Sequence, residues 1–190
     1  MTLDRANGFR LRDATPADMD AVARIYGHYV ETSVYTFEEV PPTADEMRGR
    51  LSQLRQSGLP WRVAEASQDA VIGYGYAGLF RARSAYRYAL ENSVYIAHDR
   101  ARRGIGLALM RDVIRLSAAA GYRQMMAVIG DSANEASIRL HTRLGFRMIG
   151  QETAVGFKFG RWIDVVQMQL ALGDGDRTAP TADPVGYLRR

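Results

Sequence analysis

The chain has 190 residues, 47% hydrophobic and 24% charged, with a net charge of +4, a balance that fits one globular domain with a sizeable core. It contains no cysteine, which excludes disulfides and thiolate chemistry, and its three histidines (His28, His98, His141) lack the spacing of a metal pair. No apolar run is long enough for a secretion signal or a membrane span, so a cytoplasmic protein is expected; the arginines are interleaved with Asp and Glu and carry no nucleic-acid-binding motif.

Phe9 and Leu11 open the chain as a short strand. Thr15-Pro16-Ala17-Asp18 is a helix start, with a hydroxyl cap, proline at the first helical position and a carboxylate three residues past the cap. Met19, Val22, Tyr26 and Tyr29 follow at helical spacing. Thr43 to Glu46 is a second capping box, Met47, Leu51 and Leu54 form its apolar stripe, and Gly58 stops it. The period then changes. Residues 61–66 and 71–80 read as strands joined by the turn Ser67-Gln68-Asp69, and 93–97 reads as a third. A helix over 104–120, a strand over 124–129 and a helix over 133–144 come next. Strands over 146–155 and 163–172 close the domain around a turn over 156–160. The order β-α-α-β-β-β-α-β-α-β-β predicts an α/β fold with a mixed sheet and helices on its faces. Residues 1–172 form this single domain; 173–190, rich in Gly, Pro and Asp, is expected to be disordered.

Chemistry shows first at Arg102-Arg103-Gly104-Ile105-Gly106-Leu107, which opens a helix. Unpaired first-turn N–H groups, the helix dipole and two arginines make a pyrophosphate site in physical terms. A tight turn needing glycine for its backbone angles explains the same residues. In the next helix Asn134, Ser137 and His141 share one face. Taken singly, Asn134 reads equally as an N-cap and His141 as a core histidine.

The R-R-G-I-G turn and the N-x-x-S-x-x-x-H-x-x-x-G-F segment resemble the GNAT superfamily of N-acetyltransferases. More closely, residues 9–172 resemble the phosphinothricin and methionine sulfone/sulfoximine acetyltransferase group. The matching pieces are S-V-Y-T-F-E around Phe37, F-R-A-R-S-A-Y around Arg81, E-N-S-V-Y-I from Glu91, A-V-I-G-D-S-A-N up to Asn134 and G-F-K-F-G-R-W-I-D-V-V from Gly156. The resemblance implies a GNAT fold in which two neighbouring parallel strands splay into a V. It also implies acetyl-CoA as co-substrate, no metal, and a homodimer. On that mapping Val94, Tyr95 and Ile96 offer main chain to the pantetheine arm. Arg102, Arg103, Gly104, Ile105, Gly106 and Leu107 cradle the pyrophosphate, and Asn134 contacts the cofactor further along. Ala101 departs from the superfamily pattern, which expects a long polar residue there.

An α-amino group titrates near about 8, so a base must take its proton near neutrality. The resemblance implies Glu91 for that role and places His141 where a thiolate-protonating acid, or a group orienting the amine, is expected. Arg81 and Arg83 suit a substrate carboxylate, sulfone or phosphinate, whereas Arg87 reads as a solvated loop charge. Phe37 and Tyr86 would wall the acceptor pocket, and Glu91, Asn92 and Ser93 are expected among the residues that bind the acceptor. The expected partner is a small amino-acid-like acceptor, with no nucleic acid and no membrane. Two other readings share the cofactor site: a protein N-terminal acetyltransferase, and a non-catalytic acyl-CoA sensor.

Overall fold

The computed structural model describes residues 8–66 and 70–187. The expected turn Ser67-Gln68-Asp69 lies outside the described residues. Strands β1 (Phe9–Asp13), β2 (Trp61–Ala66), β3 (Val71–Leu79), β4 (Ala89–Ile96), β5 (Gln124–Gly130), β6 (Arg147–Lys158) and β7 (Arg161–Ala171) form one sheet, in the order β1-β2-β3-β4-β5-β7-β6. The helices are α1 (Met19–Thr32), α2 (Ala44–Gln56), α3 (Ile105–Ala119) and α4 (Glu135–Arg143). Among the described residues no helix is long and apolar enough to cross a membrane.

Local chemistry accounts for the helix starts. Thr43 Oγ1 accepts the Glu46 N–H at 3.2 Å, and Glu46 Oε2 accepts the Thr43 N–H at 2.6 Å. Asp18 takes the N–H and hydroxyl of Thr15 at 2.6 and 2.8 Å, but its box opens a single 3-10 turn, Pro16–Asp18, that leads into α1. The diverted carboxylate also binds Arg12, which reaches the buried Glu65, so β1, β2 and the root of α1 are locked together.

The helices cover both faces. Met19, Val22, Tyr26, Met47 and Leu51 pack on Trp61, Val63 and Tyr74 on one face. Met110 and Val113 of α3 pack on Leu90, Met125 and Met168 on the other. All sheet neighbours are antiparallel except β4 and β5. That parallel pair is in register only over Ala89↔Gln124, Leu90↔Met125 and Glu91↔Met126. Beyond it β4 stays on β3 as far as Ile96, while β5 stays on β7 as far as Gly130. The expected V opens at Asn92 and Ala127.

Three boundaries differ from the sequence reading. β4 begins at Ala89, so Glu91 lies within the paired base of the V and not ahead of the strand. β6 runs on through Gly156 and Phe157 to Lys158, and the reversal is the two residues Phe159-Gly160, at φ 51° and 74°. Such a two-residue turn matches strand twist, which a five-residue loop would not need to do. Past Leu172, residues 173–187 form turns without helix or strand and lie against the domain: the Val185 N–H donates to the Ala120 carbonyl at 2.8 Å and Arg87 pairs with Asp183 at 2.8 Å.

Candidate active site

The parting of β4 from β5 leaves a cleft of about 640 Å³, closed by the N-terminus of α3 and one side of α4. Its lining includes Val94, Tyr95 and Ile96 from β4, Arg102 to Leu107 from the turn and first residues of α3, and Asn134. All ten residues expected to bind the cofactor therefore meet in one place. Ala101 is there too.

At the mouth of this cleft α3 starts without a side-chain cap, on Gly104 at φ 76°. The Gly104 carbonyl already receives the Ala108 N–H at 3.0 Å, which leaves the N–H groups of residues 104–107 without helical partners. Arg102, at φ 63°, adds a second left-handed residue to the turn, and such alternation curls N–H groups into an anion-binding concavity. The residues present thus fit a pyrophosphate: open donors, a helix dipole and two exposed arginines. Asn134 lines the cleft, and its Oδ1 also caps α4 by accepting the Ser137 N–H at 3.2 Å. Tyr29, on α1, donates its hydroxyl to the Ile96 carbonyl at 2.7 Å and so fixes the end of the strand edge that β5 has left.

Side chains alternate along β4. Val94 and Ile96 pack against Ile105 and Leu109 of α3. Tyr95 packs on the other face, its ring 4.9 Å edge-on from that of Tyr26 in α1. Glu91 and Ser93 share the Tyr95 face, while Asn92 shares the Val94 face. Asn92 is buried, and both ends of its amide are used: Nδ2 donates to the Met126 carbonyl at 2.9 Å, and Oδ1 lies 3.0 Å from His141 Nε2.

His141, 3% exposed, is held at its other nitrogen by the Ser137 carbonyl, 2.8 Å from Nδ1. Both ring nitrogens face oxygen acceptors, an arrangement fully satisfied only when both carry protons. Burial opposes this and lowers the His141 pKa, while the Ser137 carbonyl raises it. Glu91 has no hydrogen-bond or ion-pair partner among the described residues, and burial alone raises its pKa above the ordinary carboxylate value. A carboxylate shifted that way is a stronger base when ionised. Glu91 does not line this cleft, whereas His141, Asn92 and Ser93 do.

The remaining predicted acceptor residues lie on the Glu91 side or in the loop that leads to it. The 33–39 segment, between α1 and α2, carries Phe37, whose ring rests on Gly130 and Gly156: a Cβ added at Gly156 would sit 2.4 Å from Phe37 Cε2. That segment is pinned by Lys158, the single lysine, which is buried and donates to the Thr36 and Glu38 carbonyls at 3.0 and 2.8 Å. Burial lowers its pKa. Sequence reasoning gave Lys158 no role; its signal was a lone lysine in an otherwise arginine-only chain, inside G-F-K-F-G. The Arg81 guanidinium lies over the rings of Phe80 and Tyr86, 5.0 and 5.5 Å from their centroids, and Arg83 is exposed. Arg87, read as a solvated charge, instead pairs with Asp183 and covers the Tyr88 ring. Phe37, Arg81, Arg83 and Tyr86 are outside the cleft between β4 and β5.

Residues 11–167 match the family described as acetyltransferase (GNAT) domain. The chain is 47% identical to a phosphinothricin N-acetyltransferase of Alcaligenes faecalis over 163 residues, covering 86% of this chain and 82% of the relative. It is 37% identical to an L-methionine sulfoximine/L-methionine sulfone acetyltransferase of Pseudomonas paraeruginosa, covering 90% of this chain and 98% of the relative. The crystal structure of a GNAT superfamily phosphinothricin acetyltransferase from Sinorhizobium meliloti in complex with AcCoA superposes with a TM-score of 0.88 at 44% identity, covering 92% of this chain and 94% of the other.

Proposed function

The chain belongs to the GNAT acetyltransferase family, and from that premise we propose that it acetylates the α-amino group of a small amino acid or amino-acid analogue, with acceptor and cofactor meeting through the V from opposite faces of the sheet. Acetyl-CoA supplies the activated acyl group as a thioester. The observation that carries the reading is the opening between β4 and β5, flanked by Glu91 on the α1/α2 face and by His141 on the α3/α4 face.

Glu91 accepts the proton of the acceptor ammonium, and the freed amine attacks the thioester carbonyl. Main-chain N–H groups within Val94 to Ile96 stabilise the charge that develops on the carbonyl oxygen. As the nitrogen of the adduct sheds its second proton to solvent and the C–S bond breaks, His141 gives the Nε2 proton to the departing sulfur and regains one from solvent before the next turnover. The cleft side of β4 takes the pantetheine arm, the 102–107 turn takes the pyrophosphate, and Asn134 contacts the cofactor further along.

The acceptor is of the phosphinothricin, methionine sulfone or methionine sulfoximine type. Arg81 and Arg83 provide planar forks for its carboxylate and for sulfone or phosphinate oxygens, and Phe37 and Tyr86 wall its side chain. The protein works in the cytoplasm as a homodimer. The support for a dimer is the apolar surface on the terminal hairpin, where Met148, Val155, Phe157, Phe159 and Trp162 are all more than half exposed.

Steady-state acetylation across phosphinothricin, methionine sulfone, methionine sulfoximine, the free amino acids and short peptides tests the assignment. Turnover of one or more small acceptors, with peptides far poorer, is the expected result. Preference for peptides would transfer the site to protein N-termini, and CoA binding without turnover would make it a sensor.

A further inference from the structure

We propose that the C-terminal segment 173–187 is a strap that positions the arginine-bearing loop 80–88, with Asp183 as its anchoring residue. The proposal rests on the reading of Arg81 and Arg83 as acceptor-binding groups.

The segment leaves β7 and first touches the start of β5. Arg123 Nη1 reaches Thr178 Oγ1 at 3.2 Å and the Gly175 carbonyl at 3.4 Å. It then crosses to the loop. Arg87 Nε donates to Asp183 Oδ1 at 2.8 Å, and the Tyr88 hydroxyl lies 3.2 Å from both the Ala182 carbonyl and Asp183 Oδ1. The Arg87 guanidinium also covers the Tyr88 ring at 4.7 Å. Beyond Asp183 the segment is fixed to the body of the domain. Pro184 is buried, with its Cα against Gly121, and the Val185 N–H satisfies the Ala120 carbonyl, one of the orphan acceptors at the end of α3. Gly186 lies against the backbone of Ser57 and Gly58, just past α2.

The segment thus joins a loop, through Asp183, to two helix ends, through Pro184, Val185 and Gly186. The joined loop matters because of what it adjoins. The Tyr88 carbonyl accepts the N–H groups of Arg123 and Gln124 at 2.9 and 3.1 Å, directly below the three paired residues at the base of the V. Arg83 lies four residues before Arg87, in the turn that the strap holds. The Arg87–Asp183 pair is part-buried, at 33% and 20% side-chain exposure, which screens it less than a fully exposed pair.

The experiment compares full-length wild type, Asp183→Asn, Tyr88→Phe and Arg83→Ala by hydrogen exchange of the 80–88 backbone and by separate KM values for acceptor and acetyl-CoA. Methionine sulfone serves as acceptor. Asp183→Asn should speed exchange in 80–88 and raise acceptor KM roughly three- to tenfold, with acetyl-CoA KM unchanged. Tyr88→Phe should move both in the same direction by less, and serves if Asp183→Asn folds poorly. Unchanged exchange in 80–88 overturns the strap. Faster exchange with an unchanged acceptor KM, while Arg83→Ala raises it, overturns the link to the acceptor. If Arg83→Ala leaves acceptor KM unchanged, the arginine reading fails and the positioning role falls with it, while the exchange data still decide whether the segment restrains the loop.

Discussion

Glu91 and His141 stand on opposite faces of β4: the carboxylate shares the Tyr95 face, and the imidazole is reached from the other face through its 3.0 Å contact with Asn92. Neither touches the other, and both border the point at which β4 and β5 separate. In the proposed mechanism a proton leaves on the Glu91 face and is supplied on the His141 face, without exchange between the two groups. Burial raises the pKa of Glu91 and lowers that of His141, in each case disfavouring the charged form.

The cofactor turn gives the first prediction. A Cβ at Gly106 would sit 3.4 Å from Leu140 Cδ2 and 3.8 Å from Ile96 Cγ1, so valine there crowds the throat between α3, α4 and β4. Gly106→Val should fold and bind acetyl-CoA at least tenfold more weakly, a loss of about 1.4 kcal/mol. Calorimetry giving wild-type affinity for a folded variant would remove the turn from the cofactor site.

Phe37 gives the second. Gly156→Ala puts a methyl where the Phe37 ring lies, and the ring, as the end of a side chain, moves before the backbone does. The expected result is an acceptor KM raised several-fold, an acetyl-CoA KM left alone and a Tm within a few degrees of wild type. Equal changes in both KM values would argue that Phe37 does not wall the acceptor pocket.

Asn92 tests the proton donor. Replacing it by leucine removes the Oδ1 acceptor facing His141 Nε2, leaving burial less opposed, so the His141 pKa should fall further. NMR titration of the three histidines, with His141→Gln identifying the signal, reads this directly. In the sign convention of linkage, a depressed histidine pKa adds stability above the unfolded value and loses it as pH falls through the folded one. Asn92→Leu should therefore shift the loss of that contribution to lower pH. An unchanged His141 pKa would mean that Asn92 does not support the charged ring.

Much of this was legible in the sequence because local chemistry and one family-specific spacing agreed. Thr43 and Glu46, the R-R-G-I-G turn and the Asn134-Ser137-His141 face each announce themselves within a few residues. What was not legible depends on distant pairing. Nothing near Asn92 shows that its amide is spent on Met126 and His141, 34 and 49 residues away. Lys158 acts on carbonyls 120 and 122 residues earlier. The turn expected over 156–160 failed for a related reason: Gly156 is glycine for the sake of the Phe37 ring, while the reversal itself needs only Phe159 and Gly160.

The most direct test of the account is the pH dependence of kcat/KM for Glu91→Gln with the best small acceptor. Glutamine keeps the shape but cannot take the ammonium proton, so the loss at pH 7 should be about 10²–10⁴-fold. It should shrink as pH rises and solution deprotonates the amine, with acetyl-CoA affinity within a few-fold of wild type. Because the folded pKa of Glu91 is raised, its stabilising contribution is present at low pH and lost as pH rises through that value, so the variant should be no less stable than wild type at pH 7. Near-normal kcat/KM at pH 7 in a folded Glu91→Gln protein would contradict the account, and the proton would have to leave by another group.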